Sequence, residues 1–250
     1  MTPLYTTASA VVTGSDHLRT GTVCQDAAAI RHEAEALLVA VSDGAGSARH
    51  PELGAKLAVE TAIAYLAAQP TPDAGALVEH VQAALRAEAA RLEVPLSALS
   101  CTLLAAKVGP DTAFFAQVGD GAIVTRDDST LTLVFPPHKG EHANETRFVT
   151  ASDAAAHVQT ATLPAPAGLA MLTDGLERQA LDLNSGTPFA PFFAPFFAAL
   201  AELASPSTTP APELESAETE LSTELAAFLA SPRVAEATGD DVTLVLALRR

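Results

Sequence analysis

Tryptophan is absent from the 250 residues of this chain, and aromatic residues make up only 5% of it. A core must therefore be filled mainly by Ala, Val and Leu. Cysteine is equally scarce. Cys24 and Cys101, two thiols far apart, exclude a disulfide framework and a zinc knuckle and read as small core residues. Basic residues are few: 14 Lys and Arg stand against 30 Asp and Glu, a formal net charge of −16. That balance argues against a nucleic-acid binder and against docking on anionic membranes, which both need clustered cations. No long apolar run is present either. The stretch 189–201 is too short to span a bilayer and is broken by Pro191 and Pro195. The opening MTPLYTTASAVVTG has neither the basic start nor the apolar run of a signal peptide. A soluble, cytoplasmic protein is expected.

What is present is a normal apolar content, 48%, in a length that suits one domain spanning 1–250. Short apolar runs at 8–13 and 36–41 have strand length. Segments 51–68 and 72–92 carry apolar residues at helical spacing, each with a proline near its start. The period then changes to two: 101–108, 112–118, 121–125 and 130–135 read as consecutive strands separated by Gly/Asp-rich turns. A further strand at 168–173 precedes helices at 189–203 and 213–230, joined by a Ser/Thr/Pro-rich link at 205–212, and 242–248 closes the chain. Residues 184–238 form a helical insert before that last strand. Paired helices between blocks of antiparallel strands predict an α+β fold of stacked layers.

Aspartates recur in tight turns at strand ends. VAVSDGAG places Asp43, QVGDGAI places Asp120, AMLTDGLE places Asp174, and TGDDVTLV places Asp240 and Asp241. Asp26, in Cys24-Gln25-Asp26, precedes the apolar AAAI. Neighbouring strands bring such residues to one rim, where unpaired carboxylates repel and raise one another's pKa. A hard divalent cation, Mg²⁺ or Mn²⁺, removes that cost. Each Asp-Gly alone is more often a solvated turn than a ligand, and it is their recurrence at strand ends that points to a metal. Gly44-Ala45-Gly46-Ser47 is not a phosphate-binding P-loop, and Gly54 stands where an EF-hand needs glutamate.

Together, SDHLRTGTVCQDA, VAVSDGAGS, TLLAAKV with FFAQVGDGAIV, MLTDGLE and GDDVTLVLA resemble the motifs of the metal-dependent protein phosphatase 2C (PPM) family. They fall in the family's order over most of the chain, nearest its divergent bacterial branch. The resemblance implies a β-sandwich of two antiparallel sheets flanked by pairs of helices. It implies two Mn²⁺ or Mg²⁺ ions, with Asp43 bridging them and the Gly44 carbonyl, Asp174 and Asp240 completing the site. Asp26 would hold a water, and Asp120 would join Asp174 at a third, weaker ion. The implied activity is hydrolysis of phosphoserine and phosphothreonine in a phosphorylated protein, with a cognate kinase as a further partner. A non-catalytic phosphoprotein-binding module on the same fold is the alternative.

Two departures stand out. The phosphate-gripping arginine of many members, five positions before Asp26, is Gly21 here. His17, Arg19, Arg49 and Lys139 are the candidate substitutes. Ala45 stands where animal members have a histidine, with His50 the nearest alternative and an exposed loop residue by its setting. The loop 136–147 gathers His138, Lys139, His142 and Arg147 into a local basic patch, beside an Asn144-Glu145-Thr146 sequon without a secretory signal.

Overall fold

A computed structural model describes residues 4–136, 146–182, 185–204 and 211–250. His138, Lys139, His142, Asn144 and most of the 205–212 link lie outside them.

In chain order the elements are β1 (Tyr5–Val12), α1 (Ser15–Thr20), β2 (Asp26–His32), β3 (Leu37–Asp43), α2 (Pro51–Ala68) and α3 (Ala74–Leu92). The meander follows: β4 (Leu103–Val108), β5 (Thr112–Val118), β6 (Ala122–Asp127) and β7 (Thr130–Leu133). Next come α4 (Ala154–His157), β8 (Gln159–Pro164), β9 (Gly168–Leu172), α5 (Glu177–Ala180), β10 (Leu181–Asp182) and β11 (Thr187–Pro188). The chain ends with α6 (Ala190–Ala204), α7 (Ala211–Leu229), α8 (Pro232–Ala235) and β12 (Val242–Arg249).

Two five-stranded sheets form, ordered β1-β12-β9-β6-β7 and β2-β3-β4-β5-β8, with every pairing antiparallel. The period of two in β3 and β4 sorts their side chains into two cores. Leu38, Ala40, Leu103 and Ala105 face α2 and α3, where Leu66, Leu77 and Leu85 meet them. Leu37, Val39, Val41 and Leu104 face the opposite sheet and pack on Tyr5, Met171 and Val245. The alternate residues of β12, Leu244 and Leu246, face Phe193, Phe197 and Leu229 of α6 and α7. Three apolar layers thus separate helix, sheet, sheet and helix. Small residues permit the close approach: a Cβ on Gly54 would lie 2.3 Å from the Leu99 carbonyl oxygen.

The free edge of β1 is covered by α7. Glu218 Oε1 accepts the Thr7 N–H at 2.6 Å, and Ser222 Oγ accepts the Ser9 N–H at 3.2 Å. The amphipathic 213–230 stretch is therefore a core-facing helix, with Leu214, Leu225 and Leu229 buried.

Eight elements go beyond the sequence-based expectation: α1, β2 and β8, and the very short α4, α5, β10, β11 and α8. Strands β2 and β8 and helix α1 carry no clear apolar period, because β2 is mostly half-buried alanine, β8 alternates half-buried with exposed residues, and α1 buries none of its residues. No helix among the described residues is long and apolar enough to cross a membrane.

Candidate metal centre

Register brings the first two aspartates together. Strands β2 and β3 pair antiparallel with Asp26 opposite Asp43, at the last rung of the ladder. Strands β9 and β12 of the other sheet pair with Leu172 opposite Leu244, so Asp174 and Asp240 leave their strands at the same end. Asp43 feels the charges of Asp26, Asp174 and Asp240, and Asp174 feels those of Asp120 and Asp240. All five candidates share one rim.

Burial and mutual repulsion shape their protonation. Desolvation, ahead of all else, pushes Asp26 up to about 7 and Asp174 up to about 6. Asp43 rises further, because burial is joined by three neighbouring carboxylates. The Asp43 carboxyl is close enough to those of Asp26 and Asp174 to share a proton with either. Asp120 is exposed and accepts a hydrogen bond from Thr146 Oγ1. Glu177, which sequence reasoning passed over, is raised by burial and by Asp120 beside it.

Asp26 is the most constrained member. It is 8% exposed, and its Oδ2 accepts hydroxyl hydrogen bonds from Thr173 at 2.8 Å and Thr243 at 2.7 Å. Its Oδ1 is buried without a partner. An orphaned carboxylate oxygen, facing carboxylates that repel unless protonated, fits a divalent cation or its water. Gly44 follows Asp43 in a crevice where a Cβ would lie 2.5 Å from the Pro51 carbonyl oxygen.

The structure separates the neighbours Asp240 and Asp241. Asp240 is exposed at the rim, whereas Asp241 is 2% exposed and fully engaged. Its Oδ1 accepts the Gly14 N–H at 2.7 Å and His17 Nδ1 at 2.9 Å, and its Oδ2 accepts the Gln25 N–H at 2.6 Å. Asp241 therefore ties the segment before Asp26 to β12. One ligand-type atom from each of His17, Asp240 and Asp241 falls within a 4.8 Å cluster, so the ring stands at the rim.

Gly21 ends α1 in the left-handed conformation, φ 72°, with its N–H returned to the carbonyls of His17 and Leu18. Nothing lies within 4 Å of a Cβ built there, so the demand for glycine is conformational. Gly21→Arg is expected to cost about 1–2 kcal/mol, a fall of roughly 2–8 °C in melting temperature for a chain of this size, read by thermal denaturation. Among the suggested substitutes, Arg19 is exposed and pairs with Asp16 at 3.3 Å, and Arg49 is exposed on the loop before α2. His50 is half-buried rather than exposed, with its N–H bound to the Ala98 carbonyl at 2.8 Å. The thiols of Cys24 and Cys101 are both pushed up to about 12 by burial, which removes a thiolate nucleophile.

The sequence profile described as Protein phosphatase 2C matches residues 13–230. The chain belongs to the protein phosphatase 2C family. This phosphatase is 36% identical to Serine/threonine-protein phosphatase 3 of Escherichia coli (strain K12) over 249 residues, covering 94% of each chain. Its fold matches that of RsbX, solved in complex with magnesium, with a TM-score of 0.60 at 15% identity, over 98% of this chain and 96% of that one. It also matches the catalytic domain of the serine/threonine phosphatase PstP, solved with two manganese ions, with a TM-score of 0.57 at 20% identity. That match covers 98% of this chain and 97% of the other. The αββα layering is thus the phosphatase 2C sandwich, and the family makes the protein dependent on a divalent metal.

Proposed function

We propose that the phosphatase activity of this chain resides in the Asp26, Asp43, Asp174 and Asp240 cluster, within a single domain spanning the whole chain. The protein is a metal-dependent serine/threonine phosphatase. The observation that carries the site assignment is the orphaned Oδ1 of buried Asp26 among carboxylates drawn from both sheets. Asp43, the Gly44 carbonyl, Asp174 and Asp240 would hold two Mn²⁺ or Mg²⁺ ions, and Asp120 with Asp174 would offer a weaker third position. When bound, such a centre supplies an activated water and a counter-charge for the phosphoryl oxygens. Asp26 Oδ1 is the atom that would orient a water at such a centre, and the Thr173 and Thr243 hydroxyls on Oδ2 hold the carboxylate still. No side chain needs to be phosphorylated, in keeping with the inert cysteines. A phosphorylated protein is the substrate, and the kinase that modified it is a natural partner.

With Gly21 unable to grip phosphate, His17 takes a share of that task. Among the described candidates it is the one anchored at the rim, by a buried carboxylate. His17→Ala is expected to raise KM for a phosphopeptide about tenfold or more, the worth of one charge-assisted hydrogen bond, with a smaller effect on kcat. The activity itself is tested by Mn²⁺-dependent phosphate release from phosphothreonine, phosphoserine and phosphotyrosine peptides. Release from the first two that EDTA abolishes is the expected result. Metal binding without turnover on any peptide would instead favour a phosphoprotein-binding module.

A further inference from the structure

Asp26 belongs to one sheet, yet both hydroxyls that hold it come from the other. Thr173 follows β9 and Thr243 lies in β12; they are 3% and 0% exposed. Their Oγ1 atoms reach the same oxygen, Oδ2, at 2.8 and 2.7 Å, while Oδ1 receives nothing. The pair is itself braced, since the Thr243 N–H donates to Thr173 Oγ1 at 3.1 Å. With its single proton committed to Asp26, the Thr173 hydroxyl still accepts that N–H, so each atom's hydrogen-bonding capacity is consistent. A carboxylate has two chemically equal oxygens, and free rotation would exchange them. Two donors on one oxygen remove that equivalence and leave the other, Oδ1, as the oxygen open to a further partner.

We infer that Thr173 and Thr243 are positioning residues that fix which oxygen of Asp26 meets the metal centre, and thereby set its metal affinity. The inference rests on the metal-centre reading above. It also makes the separation of the two sheets a determinant of the site, because donors and acceptor stand on opposite layers of the sandwich.

The test is Mn²⁺ titration by calorimetry of EDTA-stripped protein, with thermal melts to verify folding. The variants are Thr243→Val, Thr243→Ser, Thr173→Val and Asp174→Asn. Valine keeps the shape of threonine but removes the donor. Thr243→Val is expected to weaken Mn²⁺ binding about 10- to 100-fold, the usual cost of losing a partner that orients a ligand. Thr243→Ser, which keeps the hydroxyl, is expected to bind within a few-fold of wild type. A purely structural threonine would show the reverse, a loss set by the missing methyl and not by the hydroxyl. Should Thr243→Val fail to melt cooperatively, Thr173→Val carries the same comparison. Wild-type affinity in the valine variants while Asp174→Asn loses Mn²⁺ overturns the inference alone. Wild-type affinity in all of them, Asp174→Asn included, overturns the metal-centre reading and the inference with it.

Discussion

Asp174→Asn is expected to reduce Mn²⁺-dependent hydrolysis of a phosphothreonine peptide by about three orders of magnitude or more. The reasoning begins with position. Asp174 leaves β9 in a turn where a Cβ on Gly175 would lie 2.1 Å from the Asp241 carbonyl oxygen, so its backbone is held in place. Its carboxylate is partly buried and shares the rim with Asp43, Asp120 and Asp240. Asparagine preserves the shape but removes the charge that offsets a cation. A metal centre contributes several kcal/mol of transition-state stabilisation, and each 1.36 kcal/mol is roughly a factor of ten in rate. The same substitution relieves repulsion in stripped protein, so its melting temperature in EDTA should equal or exceed that of wild type. An activity within a few-fold of wild type, under Mn²⁺ concentrations that do not saturate a weakened site, would remove Asp174 from the centre.

The second large effect is an inverted dependence of stability on pH. Paired carboxylates usually have depressed pKa values, and stability is lost on acidification. Here burial and crowding raise Asp26 to about 7 and Asp174 to about 6, and Asp43 beyond them. The folded chain therefore binds these protons more tightly than the unfolded chain, whose aspartates titrate near 3.8. Stability from these groups is fully present below that value and drains away as pH rises through 6 and 7. Shifts of this size in buried groups amount to several kcal/mol, or on the order of 10 °C in melting temperature. In EDTA, the protein should thus melt about 10 °C lower at pH 8 than at pH 5. Saturating Mn²⁺ binds the ionised carboxylates, so the ion should recover most of that loss at pH 8. Asp43→Asn should shrink the EDTA difference. A melting temperature in EDTA that climbs between pH 5 and pH 8, unaffected by Asp43→Asn, would contradict this account.

Much of this architecture was legible before any coordinates. Apolar runs such as 36–41, 101–108 and 242–248 proved to be strands buried on both faces, and the paired helices were marked by proline starts and apolar stripes. The order of the five motifs also indicated the sandwich. What escaped was whatever had neither a strongly apolar run nor an apolar stripe to mark it. In β2, Ala27, Ala28, Ala29 and Ile30 are all half-buried, so no alternation marks the strand. Helix α1 is a six-residue surface turn. The five aspartates announced themselves by their turns, but their convergence depends on register, which a sequence does not display. Likewise, nothing in the dipeptide Asp240-Asp241 says which carboxylate faces the rim and which is consumed by the N–H groups of Gly14 and Gln25. Thr173 and Thr243 look like ordinary strand residues until both are found on one oxygen of Asp26.

The cover that α7 lays over β1 decides how the protein behaves in a crowd. A bare eight-residue edge with outward N–H groups is a template for another chain's strand. Glu218 and Ser222 occupy the acceptor places that an incoming backbone would otherwise fill. The helical insert therefore acts as a built-in stopper against strand-to-strand association. Shortening it, although it lies outside the carboxylate cluster, would open the β1 edge to pairing with another chain's strand.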